Sequence, residues 1–112
     1  MSDQTAHLAL PFLAPAQAQK HVTHNEALIR LDALVSIAVE GVAATIPPGS
    51  PAEGERHLIG TGASGAWAGE DGHLAVFSDG AWWFATPAIG WIAFDKATDT
   101  LLVLRSTGWT AV

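Results

Sequence analysis

The sequence predicts an α+β fold: an N-terminal arm and one long helix, followed by a small antiparallel β-meander rich in tryptophan. Three observations carry this. A chain of 112 residues has room for one hydrophobic core and not for two. Helical periodicity is confined to the first half, upstream of the break Pro47-Pro48-Gly49-Ser50-Pro51. Beyond that break come short apolar runs punctuated by glycine, holding all five tryptophans. The expected organisation is an extended arm over residues 1–14 and a single domain over 15–112. Within that domain the helix spans about 23–40 and the strands lie within 56–112.

The arm comes first. Its opening residues are polar, and Leu8, Leu10, Phe12 and Leu13 follow, broken by Pro11 and Pro15, which argue against a regular helix. Exposing Phe and Leu to water is costly, so this segment is expected to pack along a partner. Residues 16–22 either extend the helix or form a separate short one.

The helix signal follows. Thr23 and Glu26 have the S/T-x-x-E spacing of a capping box, with Val22 and Ala27 at the positions of a hydrophobic staple. Ala27, Leu28, Leu31, Leu34, Val35 and Ala38 recur at helical spacing, and Gly41 supplies a residue suited to a left-handed stop. Ile29, Ala33, Ile37 and Val39 widen the apolar stripe. Asn25, Arg30, Asp32, Ser36 and Glu40 are left as solvent contacts. A helix apolar nearly all round is a buried one. The expectation is packing on the chain's own sheet and on another copy, with Ile29, Ile37 and Val39 at the subunit contact.

Strands are expected at Arg56–Gly60, His73–Ser78, Trp82–Thr86, Trp91–Asp95, Leu101–Arg105 and Trp109–Val112. The turn signals between them include Asp79-Gly80-Ala81 and Lys96-Ala97-Thr98-Asp99. Residues 61–72 form a glycine-rich excursion carrying Trp67. An internal echo links Leu74–Phe84 (LAVFSDGAWWF) with Leu102–Val112 (LVLRSTGWTAV), two copies being too few for a solenoid or propeller. The strands are apolar on both faces, so one face packs on the helix and the other needs a second cover.

Composition narrows the function. Eleven acidic against five basic residues disfavour phosphate-neutralising contact with nucleic acid. With no cysteine there is neither a disulfide framework nor thiolate chemistry. No apolar run is long enough to cross a membrane as a helix, so no membrane insertion is expected, and the stretch after Met1 lacks the basic n-region of a signal peptide. His21, His24 and Glu26 offer three metal ligands at most, without HExxH spacing, so no metal and no cofactor are expected. Glu70-Asp71 are adjacent acids in a glycine-rich loop, and such neighbours rarely face one substrate. Neither Ser36 nor Ser64 sits in a G-x-S-x-G elbow. No catalytic residue is nominated and no enzyme is expected. The tryptophans read first as packing anchors. The functional alternative is a small carbohydrate-binding module for cell-surface polysaccharide, stacking sugars on Trp67 and Trp83.

The stretches Leu10–Val35, with its block AQKHVTHNEAL, and Pro47–Asp95 carry a resemblance. They resemble a domain-of-unknown-function family found in tail-fibre and spike proteins of phages, prophages and gene transfer agents. The resemblance spans roughly residues 8–112, and the short form is similar to gene transfer agent head-spike base proteins. It implies a non-enzymatic, homo-oligomeric virion protein, for which a pentamer or trimer fits. Such a protein would attach a spike or fibre to a capsid vertex, after assembly in the bacterial cytoplasm. On that reading Leu8, Leu10, Phe12 and Leu13 contact capsid or partner, while loops around Trp67 and Trp83 face fibre or glycan.

Overall fold

The computed structural model describes residues 3–13 and 20–112, except the side chains of residues 20–23. Among the described residues it is an α+β fold with one α-helix and eight strands in two mixed sheets. The chain divides into two compact units, Met1–Val35 and Ser36–Val112.

In the first unit, α1 runs Lys20–Leu34. It begins upstream of Thr23, which therefore stands inside the helix and not at its cap. The Thr23 hydroxyl and the Val22 staple lie outside the described residues, as do residues 16–19 of the expected extension. The helix also ends earlier than its apolar pattern implies. The Val35 amide closes the last turn on the Leu31 carbonyl at 2.9 Å. Ser36 then takes a left-handed conformation, φ 55°, in place of Gly41. Residues 3–13 are not extended but fold back as a hairpin. A bridge joins Gln4 to Pro11, and the Thr5 amide donates to the Leu10 carbonyl at 2.9 Å and that of Phe12 to the Asp3 carbonyl at 3.0 Å.

In the second unit, Ile37–Val39 forms β1 and Val42–Ala44 forms β2. β-Branched Ile37 and Val39 suit a pleated surface, and tertiary pairing overrides the helical reading of this run. The remaining strands are β3 Arg56–Ile59, β4 Leu74–Ser78, β5 Ala81–Ala85, β6 Ile92–Asp95, β7 Thr100–Arg105 and β8 Gly108–Ala111. They lie where the alternation places them, yet they do not form one meander. One sheet has the order β2-β3-β4-β5 and the other β1-β6-β7-β8. Each is a three-stranded antiparallel meander extended by a short parallel strand, β2 on β3 and β1 on β6. The segment 37–44 therefore serves both sheets in turn, crossing between them at Glu40 and Gly41.

The turns follow local chemistry. Asp79 and Gly80 take φ 52° and 81°, the pair of positive values that a two-residue hairpin turn requires. Buried Asp95 shapes the β6–β7 turn, its carboxylate accepting from the Ala97 amide at 3.0 Å and the Thr98 hydroxyl at 2.7 Å.

Both sheets bury one face. Leu58, Leu74 and Val76 are buried on the first, with Arg56 beside them; Ile37, Val39, Ala93 and Asp95 are buried on the second. The opposite face of the first sheet carries Ile59 and Ala75, packed with Trp67, Trp82 and Phe84. Gly60 permits a close approach here. A β-carbon on it would stand 2.4 Å from the Ala43 carbonyl oxygen, while its amide donates to the Ala44 carbonyl at 2.8 Å. Gly60→Ala should push β2 off β3 and cost roughly 1–3 kcal/mol as an overpacking change. The urea midpoint measures this, and an unchanged midpoint would mean that β2 contributes nothing to stability.

Candidate interaction surface

The first unit is held together by two polar side chains that hydropathy assigns to solvent. Asp32 accepts from the His7 amide at 2.9 Å and, through its other oxygen, from the Leu8 amide at 2.6 Å. Seven residues earlier on α1, Asn25 accepts from the Leu13 amide at 2.9 Å and donates to the Leu13 carbonyl at 3.2 Å. A separation of seven is two helical turns, so both side chains lie on one stripe and grip the hairpin at two points. Burial is the largest influence on the Asp32 carboxyl and pushes its pKa up. Hydrogen bonds from the Thr5 hydroxyl and the Leu8 and His7 amides outweigh it and hold the group below its ordinary value.

This grip fixes which way α1 faces. Asn25, Asp32 and Ala33 are buried and Ile29 is half-buried. Leu31 and Val35, expected to pack on the sheet, are exposed instead. On the hairpin Leu8 and Leu13 are exposed, while Leu10 and Phe12 are half-buried. Of the three residues expected at a subunit contact, Ile29 alone is on the helix. Ile37 and Val39 are buried in β1 and present nothing to a second copy. The missed signal was an Asn and an Asp two turns apart on one stripe of the helix.

The aromatic loop is likewise turned inward. Trp67 closes a 3-10 turn, Gly65–Trp67, and has 0% exposure. Its ring meets Trp82 edge-on at 5.3 Å and His57 at 5.2 Å, an arrangement that aromatic quadrupoles favour. Trp67 therefore offers no stacking face, contrary to its nomination as a fibre or glycan contact. Trp83 is half-buried on β5. The two adjacent acids are occupied structurally. Asp71 accepts from the Gly62 and Ala63 amides at 2.9 and 3.0 Å, closing the loop, and Glu70 contacts His73 Nδ1 at 2.8 Å. His57 Nε2 lies 2.8 Å from Glu55, beside the aromatic cluster. His24 is exposed on α1. Among the described residues no three His, Asp or Glu side chains group as metal ligands, and no helix is long and apolar enough to cross a membrane.

What remains open is apolar surface. Besides the hairpin and helix positions, Ile92 on β6 and Leu101 on β7 are exposed. They share one sheet face with Phe94 and Val103, which lie opposite Leu101 and Ile92 in the ladder. No charged side chain of β6 lies on that face.

Residues 24–110 match the family described as "Protein of unknown function (DUF2793)". The chain belongs to that family. The match covers most of α1 and nearly all of both sheets, so the DUF2793 unit includes the helix as well as the strands. No curated protein and no solved structure matches the chain.

Proposed function

We propose that this DUF2793 chain is a non-enzymatic structural subunit. It acts as a homo-oligomeric adaptor attaching a spike or fibre to the capsid vertex of a phage-like particle. The observation that carries this is the apolar surface left open on separate elements: Leu8 and Leu13 on the hairpin, Leu31 and Val35 on α1, Ile92 and Leu101 on the second sheet. A chain with a formal charge of −6 keeps large hydrophobics in water at these places. Exposed apolar patches mark surfaces that another protein covers. An adaptor needs at least two such contacts, one for its own copies and one for the structure it joins. The virion setting rests on the resemblance of AQKHVTHNEAL and its surroundings to fibre and spike proteins. A polysaccharide-binding module draws little support from a Trp67 ring sealed inside the fold.

Deletion of residues 1–13 tests the division of labour. It removes Leu8 and Leu13 and exposes the buried Asp32 and Asn25. Particles assembled with the deleted chain should lose either the chain itself or the fibre it holds, scored by electron microscopy and by protein composition. If capsid incorporation and fibre attachment both survive, the hairpin plays no part in docking.

A further inference from the structure

The two sheets are copies of one design, and the comparison exposes an unfilled position. Aligning the hairpin closures Ser78 with Ala81 and Arg105 with Gly108 superposes the ladders strand for strand. Phe77 and Trp82 then correspond to Leu104 and Trp109, and the parallel strands β2 and β1 fall at the same place. In this alignment Arg56, Leu58, Leu74 and Val76 of the first sheet are matched by Ile92, Phe94, Leu101 and Val103 of the second. The first set is buried throughout, with Leu74 at 0% exposure. In the second, Ile92 is 55% and Leu101 45% exposed. All four positions are apolar here, with isoleucine in place of buried Arg56, although Ile92 and Leu101 face water and Phe94 and Val103 are only half-buried. The face is therefore built for packing.

We propose that this β6–β7 face is the subunit contact of the homo-oligomer, and that a second copy covers it about a two-fold axis. The proposal rests on the homo-oligomeric part of the reading above and replaces the helix residues first nominated for that contact. Charge placement selects the occupant. Arg105 lies on the same face at one end of β7, its Nε donating to the Thr110 hydroxyl at 2.9 Å. Asp99 stands at the other end, in the exposed β6–β7 turn. A two-fold axis lying in the plane of the contact, perpendicular to the strands, runs the two β7 strands in opposite directions. It brings Arg105 of each copy towards Asp99 of the other while the four apolar side chains meet between them. A cyclic trimer or pentamer with its strands running alike would gather the arginines at one end and the acids at the other, which like-charge repulsion disfavours. Between two chains that each carry −6, an uncharged face with opposite charges at its ends is the surface that can self-associate.

Sedimentation equilibrium of the full chain, with Leu101→Asp, Ile92→Lys, Arg105→Glu and Arg105→Glu/Asp99→Arg, tests the proposal. The unmodified chain should be a dimer or an even multiple of one. Leu101→Asp and Ile92→Lys should each shift it to monomers. Arg105→Glu should weaken association at least tenfold, and the double exchange should restore most of that loss. Circular dichroism establishes that each variant is folded. Because both apolar positions are already half in water, Ile92→Lys reads the same face should Leu101→Asp unfold. An oligomer unaffected by either apolar variant, or one with an odd number of subunits, overturns the two-fold face and leaves the homo-oligomeric reading standing. A monomer at every concentration overturns both.

Discussion

Replacing Asp32 with alanine should release the N-terminal hairpin from α1 and lower stability by about 3 kcal/mol, since hydrogen bonds to a charged acceptor each contribute roughly 1.5–3 kcal/mol. Two backbone donors, His7 and Leu8, lose their acceptor at once, and the Thr5 hydroxyl loses a partner as well. Asp32→Asn keeps one acceptor oxygen and should cost about half as much. Hydrogen exchange at the His7 and Leu8 amides is the direct readout: both should become unprotected in the alanine variant while the amides of β4 stay slow. Unchanged protection at those two amides would show that the hairpin is held by something other than the carboxylate.

The same carboxylate makes the hairpin acid-labile. The folded pKa of Asp32 lies below its ordinary value of 3.8. Its contribution is therefore fully present above that value and is lost as pH falls through the lower, folded one. Hairpin release should begin near 3.8 and grow on further acidification, well below neutral conditions. In Asp32→Asn this acid dependence should disappear from the hairpin amides, whatever the rest of the chain does.

The six later strands were legible because their signals are local. Alternation set their faces, and turn chemistry set their ends, as with the positive φ of Asp79 and Gly80. Their division into two sheets was not legible, because it depends on the short β1 and β2. The run from Leu34 to Val39 is apolar except for Ser36, so the helical pattern simply continued through it. Only the left-handed turn at Ser36 and long-range pairing with β6 make its second half a strand. The echo between Leu74–Phe84 and Leu102–Val112 was visible, and it falls on β4–β5 and β7–β8. What it marked was a repeat of whole sheets, hidden because the matching first strands Arg56–Ile59 and Ile92–Asp95 share spacing but no residue.

The candidate contact residues divide along similar lines. Leu8, Leu10, Phe12 and Leu13 were nominated as partner contacts from the cost of exposing apolar side chains; Leu8 and Leu13 are exposed, and Leu10 and Phe12 are half-buried. Asp32 and Asn25 were overlooked because hydropathy treats every carboxylate and amide as a solvent group. Both are buried, and each is satisfied by backbone atoms 12 to 25 residues away. Sequence spacing places a polar residue on a helix stripe, but it does not supply the hairpin that the stripe will hold.

Trp67→Ala should be the most damaging single change in the second unit, by roughly 3–5 kcal/mol as for other buried aromatic-to-alanine substitutions. Trp67 is at the centre of a small satellite core formed with Ile59 and Ala75, and no other side chain of the 60–73 loop is buried as fully. Removing the indole takes one edge-on neighbour from Trp82, which keeps Phe77 at 5.2 Å, and one ring from beside His57, which keeps Trp82 at 6.0 Å. The polar ties of the loop, such as Asp71 to the Gly62 and Ala63 amides and the Ser64 amide to the Thr45 carbonyl, do not fill that volume. Trp67→Phe should cost less, about 1–2 kcal/mol. The reason is specific: the indole Nε1 is buried without a hydrogen-bond partner among the described residues, so phenylalanine removes a polar group that makes no bond there and loses only volume. Chemical denaturation of the two variants therefore separates packing from recognition. A packing residue gives a large loss for alanine and a small one for phenylalanine, with polysaccharide retention on an affinity gel unaltered in the phenylalanine variant. If Trp67→Ala leaves the midpoint where it was and abolishes retention, the ring is a sugar platform and the inward placement of the loop is wrong.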